Sequence, residues 1–147
     1  MGENVLLKVI DQAYDHRSWH GTNLRGSLRG VSVARASWRP GPRRHNIWET
    51  VVHAAYWKYV VWRRITGAKR GSFELKGSNW FVRPQQATES AWRADVALLE
   101  RMHRQLRAAV PRAAAKDAWL VSGIAAHDLY HAGQIQLLKK LNHVPKH

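Results

Sequence analysis

The chain has 147 residues, of which 45% are hydrophobic, a length and composition that fit one ordinary domain, 1–147, and exclude a disordered tail. Lys and Arg number 24 against 10 Asp and Glu, a formal charge of +14 that favours acidic partners and says nothing about fold. Cysteine is absent, which excludes disulfides, thiolate metal sites and a thiol nucleophile of the chain's own.

Met1 to Ile10 carries Glu3 and Asn4 and lacks the charged start and apolar centre of a signal peptide. No apolar run approaches the ~18 residues of a membrane span. A cytoplasmic protein with no membrane contact is the expectation.

Breakers at Pro40, Pro42, Gly67, Gly71, Gly77, Pro84 and Pro111 divide the chain into four stretches long enough for helices. The first is predicted over about 3–28, with a break near Gly21. The second covers about 46–66. Asn46-Ile-Trp-Glu49 has the form of a capping box at its start, and Gly67 stands where a left-handed C-cap is wanted. Residues 68–83, rich in Gly and Lys with Trp80 and Phe81, form the one long connection, for which a lid and a dimer contact are both open.

The third helix is predicted over about 85–109 and the fourth over about 117–141. The fourth ends in Lys139 and Lys140, as the helix dipole prefers. Along it, Leu120, Ile124, His127, His131, Ile135 and Leu138 recur at three- and four-residue steps, an apolar stripe with two histidines inside it. No stretch alternates with period two. The expected fold class is therefore all-α, an antiparallel helix bundle.

His127 and His131 are one turn apart on that stripe. Burial and mutual repulsion both disfavour their protonation, and neutral imidazole is a common metal ligand. Two ligands hold a cation weakly. His53, in the middle of the second helix, is the candidate third, and three His with open positions is the layout of a catalytic site. The competing explanation is a set of core histidines bonded to carbonyls or to Glu49 and Asp128.

Among the other histidines, His20 beside Gly21 is a candidate to line the same cavity. His16, His45, His103, His143 and His147 read as surface or loop residues. Glu49 is a candidate general base or anchor of His53, set against its role in the capping box. Gln134 could orient a ligand or bond a helix neighbour. Asp128 points roughly 100° away from His127 and is expected at the surface. Trp48, Tyr56, Trp57 and Tyr130 are candidates to wall an apolar pocket.

Arg17, Arg25, Arg29, Arg35, Arg39, Arg43 and Arg44 form an acid-free basic run, Arg63, Arg64, Lys69 and Arg70 a second cluster, and Arg101, Arg104 and Arg107 a third. They could attract a carboxylate- or phosphate-bearing molecule or nucleic acid, or simply be a solvated surface. No zinc finger or RNA-recognition fingerprint is present, which argues against nucleic acid as the partner.

His127-Asp-Leu-Tyr-His131-Ala-Gly133-Gln134-Ile135 resembles the last-helix motif of the DinB-like superfamily. Asn46-Ile-Trp48-Glu-Thr-Val-Val-His53-Ala-Ala resembles its second-helix motif, and Trp38-Arg39-Pro40 the turn that often precedes that helix. The resemblance runs along nearly the whole chain. It implies an up-down-down-up four-helix bundle, often a homodimer, with a divalent metal, usually nickel or zinc, on His53, His127 and His131. Relatives include thiol S-transferases that use bacillithiol, mycothiol or glutathione, isomerases of thiol-linked acids and proposed hydrolases.

The expected function is thus a metal-dependent thiol S-transferase or hydrolase, acting on a small molecule and possibly using a low-molecular-weight thiol. A cosubstrate thiol would suit a chain without cysteine, because a bound metal can deprotonate it. The alternative is a nucleic-acid or anion-binding module with a structural or vestigial metal.

Overall fold

The computed structural model describes residues 4–142, so the readings for His143 and His147 lie outside the described residues. Among the described residues it contains six α-helices and no strand: α1 (Val5–Tyr14), α2 (Leu24–Ser27), α3 (Val33–Ser37), α4 (Ile47–Thr66), α5 (Glu89–Ala109) and α6 (Ala118–Leu141). The fold class is all-α, as expected. No helix among the described residues is long and apolar enough to cross a membrane.

The first predicted stretch is corrected. Asn4 caps α1 through the Leu7 N–H at 3.0 Å, but the helix stops at Tyr14, well before Gly21. The reason is local competition for backbone groups. Asn23 donates to the His16 carbonyl at 2.9 Å and accepts from the Gly26 N–H, so it folds residues 16–23 into a turn and starts α2. Gly21 does lie inside this break, at φ +106°. α3 is a further short helix, capped by Ser32.

The long helices follow their signals closely. Asn46 and Glu49 complete the capping box of α4, and Gly67 closes its end at φ +74°, a backbone region that suits glycine. Thr88 caps α5 through the Ala91 N–H, four residues later than the sequence pattern placed the start. α4 packs against both α5 and α6, and α6 also packs against α1 and α2.

Apolar side chains of these helices form two buried clusters. One joins Trp48, Val51, Val52 and Ala55 of α4 to Leu98 and Leu99 of α5 and Ile135 of α6. The other joins Ile10 and Ala13 of α1 to Val61, Leu106, Val121 and Ile124. Because α6 meets other helices on more than one side, its inward surface is wider than a single stripe. The middle of α4 and the middle of α6 are thereby brought together, with His53 on one and His127 and His131 on the other.

Candidate metal centre

The three histidines converge. Nε2 of His127 lies 3.1 Å from Nε2 of His53 and 3.1 Å from Nε2 of His131. One nitrogen from each ring lies within 4.8 Å of the other two. His53 and His131 are buried and His127 is half-buried. Burial is the first cause that lowers all three. His53 is held at about 4 and His127 at about 3, with neighbouring imidazoles adding to the effect, and His131 is lowered as well. At neutral pH all three are therefore uncharged, the ligating form.

Outer hydrogen bonds set the direction of two rings. Nδ1 of His53 donates to the backbone carbonyl of Asn79 at 2.8 Å, and Nδ1 of His131 donates to Oε1 of Gln134 at 2.7 Å. With their protons on Nδ1, both Nε2 atoms carry bare lone pairs. His127 could donate from Nε2 to only one of them, and its own Nδ1 is buried without a partner. The cluster thus gathers more acceptors than it has protons to share. A cation satisfies the three lone pairs together, and buried polar groups rarely stay unpaired. Metal–nitrogen bonds of about 2.1 Å at right or tetrahedral angles would separate the nitrogens by roughly 2.9–3.4 Å, which brackets the two short edges. The residues present fit a divalent metal held on three imidazoles.

The long connection forms part of this site. The Trp80 ring stacks on His53 with centroids 3.8 Å apart and an interplanar angle of 6°, and on its other face stacks His45 at 3.5 Å and 4°. Trp57, one turn beyond His53, donates from its indole to the Asn79 side chain at 2.9 Å and meets His53 edge-on. Asn79 is thus held by its side chain while its carbonyl orients His53. Neither Asn79 nor Trp80 is anticipated by helical periodicity, because they sit on irregular backbone.

The remaining candidates separate clearly. Gln134 joins the site through His131. Glu49 does not: its carboxylate takes a two-pronged bond from Arg39 at 2.6 and 2.9 Å and the Arg83 N–H at 3.1 Å. It is a cap and an anchor for the Trp38-Arg39-Pro40 turn. His20 is exposed and contacts Ser18, away from the cluster. Trp48 is buried but turns its indole N–H to Asp95 at 2.6 Å. Tyr56 packs on Phe73 and Phe81, whereas Tyr130 is 65% exposed and touches His131 edge-on.

Two expectations are corrected. Asp128 is not at the surface but 1% exposed, and it accepts from Lys58, itself 1% exposed, at 2.5 Å. The offset of about 100° from His127 aims it at α4, because α6 is covered on that side too. His103 is likewise buried. It stacks on Tyr14 at 3.7 Å and its Nδ1 lies 3.1 Å from Nζ of Lys58. A signal was available in the sequence. Lys58 stands beside the apolar run Tyr59-Val60-Val61, where a cation needs a buried partner.

A model of the DinB superfamily matches residues 16–135. This match covers most of the chain, His53, His127 and His131 included, and the chain belongs to that superfamily. No curated protein and no solved structure matches it.

Proposed function

We propose that this protein is a divalent-metal-dependent enzyme of its superfamily, with the metal on His53, His127 and His131 and a thiol S-transferase reaction as its chemistry. The observation that carries the reading is the three-way approach of Nε2 atoms from two helices, with the outer nitrogens of two rings already committed to Asn79 and Gln134. Nickel and zinc are the ions the family resemblance implies.

When bound there, a divalent ion supplies a Lewis acid that lowers the pKa of a thiol or water placed on it. The chain's own residues supply position and exclusion. Asn79 and Gln134 hold two imidazoles in the ligating tautomer, and such partners typically set metal affinity by 10–100-fold. Trp80 covers one face of His53 and keeps water from it. No carboxylate among the described residues bonds the cluster, so activation of a nucleophile would fall to the ion. Glu49 is locked by Arg39 and Asp128 by Lys58, so neither carboxylate is free to act as a general base. A thiol or a water held by the ion needs none; the preference for transfer rests on the family resemblance and on the chain having no cysteine of its own, so that a cosubstrate thiol would supply the nucleophile.

The same reading takes residues 1–147 as one domain and α1, α4, α5 and α6 as an up-down-down-up bundle. It takes the protein to act in the cytoplasm on a small molecule. The homodimer rests on the family resemblance alone.

The test is turnover. Nickel- and zinc-loaded protein is incubated with bacillithiol, mycothiol or glutathione and a haloalkyl electrophile, with an ester panel alongside. Thiol consumption that disappears on chelation and in His131→Ala is expected. Metal-loaded protein that consumes no thiol but cleaves esters would replace transferase with hydrolase. Turnover unaffected by chelation would remove the metal from the reaction.

A further inference from the structure

The connection that carries Asn79 and Trp80 also closes a second space. Between it and the outward face of α4 lies a cleft of about 820 Å³, within the ~300–1,000 Å³ typical of small-molecule sites. Tyr59 pins the connection in place, since its hydroxyl accepts from the backbone N–H groups of Gly71 and Ser72 at 3.2 and 3.3 Å.

Four cations line the cleft: Arg63 and Arg64 from α4, and Arg70 and Lys76 from the connection. None of the four forms an ion pair among the described residues. The one carboxylate in the lining, Glu74, is taken by Arg101 at 2.7 and 3.0 Å. The helix dipole accounts for Arg63 and Arg64 in the last turn of α4. It does not account for Arg70 and Lys76, which the connection brings to the same space against their mutual repulsion. Toward the other end, Tyr56 and Trp57 offer aromatic surface.

We propose that this cleft binds a nucleoside phosphate or a small anion of the same build. Its phosphate oxygens face Arg63, Arg64, Arg70 and Lys76, and its planar ring lies against Tyr56 and Trp57. Guanidinium groups match phosphate geometry in paired hydrogen bonds, and planar bases stack on aromatic side chains. The cleft is lined by residues 77–78, which precede Asn79 in the chain, and by Trp57, which bonds the Asn79 side chain, yet the proposal does not depend on a metal being bound.

The experiment is calorimetric titration of the full chain at about 0.15 M salt, where loose surface attraction is screened. ADP, its fragments inorganic pyrophosphate and adenosine, and a single-stranded oligonucleotide are the probes, applied to the protein as purified and after chelation. One ADP per chain, bound at least tenfold more tightly than either fragment and unaffected by chelation, is expected. Arg63→Ala/Arg70→Ala should weaken it at least tenfold. Arg17→Ala/Arg29→Ala, which alters a separate arginine-lined cavity, should not. These four side chains are on the surface side of the fold, and circular dichroism of both variants checks that it persists. Binding lost on chelation would put the anion on the metal and overturn the proposal. Equal weakening in both variants, or equal affinity for pyrophosphate, would reduce it to unspecific charge attraction. Tighter binding of a single-stranded oligonucleotide than of ADP would replace it with a nucleic-acid surface.

Discussion

Gln134 lies one turn beyond His131 on α6, and its side-chain oxygen accepts the His131 Nδ1 proton at 2.7 Å. The bond holds the ring's other nitrogen toward His127 and fixes it as an acceptor. Gln134 itself is exposed, so its role is separable from folding. Gln134→Leu should lower zinc or nickel affinity by about 10–100-fold while leaving the melting temperature of the metal-free protein within about 2 °C. Competition against a chelator of known affinity measures the first and a thermal melt the second. Unchanged affinity would show that His131 is oriented by packing alone.

Acid should destabilise the metal-free protein. His53, His127 and His103 are depressed to about 4, 3 and 2 from an ordinary 6.5, mainly by burial. Between pH 6.5 and these values the unfolded chain binds more protons, so stability is full above pH 6.5 and falls as pH drops. Asp128 acts in the opposite sense. Burial raises it to about 6, so the folded state binds the extra proton and that contribution is lost as pH rises from 3.8 to 6. These three histidines, with His131 lowered in the same direction, outweigh one carboxylate and leave a net loss of at least about 2 kcal/mol between pH 7 and 4.5. Urea denaturation across that range checks it. A flat profile would mean that these imidazoles are not buried neutral.

Lys58 and Asp128 form a buried pair whose members are each costly alone. Lys58→Met should destabilise the fold by about 3–5 kcal/mol, because it strands a carboxylate in the interior. Lys58→Met/Asp128→Leu should cost clearly less than the two single changes added together. Denaturant-unfolding measurements on the double-mutant cycle decide this. Additive losses would show that the two side chains do not depend on one another.

Glu49 tests the difference between a cap and a base. Glu49→Ala removes half of the capping box, both Arg39 bonds and the acceptor for the Arg83 N–H. A loss of about 2 kcal/mol or more is expected, with metal stoichiometry unchanged. If instead the protein melted as before but lost turnover selectively, Glu49 would be acting on substrate.

The parts of the fold legible in the sequence were those governed by local rules. The ends of α4 follow from Asn46, Glu49 and Gly67, and the inward stripe of α6 from its apolar spacing. His53, His127 and His131 stood out because each interrupts an apolar face in the middle of a helix. What was not legible depends on which surfaces meet. Asp128 reads as a surface residue from its angle to His127, and His103 as one of the surface or loop histidines; only the packing of α6 on α4 and of Tyr14 on His103 shows them to be interior. Asn79 and Trp80 lie on irregular backbone, where no period marks an inward side. The early end of α1 turns on Asn23, whose side chain serves His16 and Gly26 at once.

The central claim is that three imidazoles from α4 and α6 hold one cation, and metal content tests it most directly. Elemental analysis of the purified chain, as isolated and after reconstitution with nickel or zinc, should find one divalent ion per chain. That ion should be lost in His53→Ala and His131→Ala variants that keep their helical circular dichroism. A wild-type chain that takes up no ion under either condition, or variants that keep the full complement, would contradict the account.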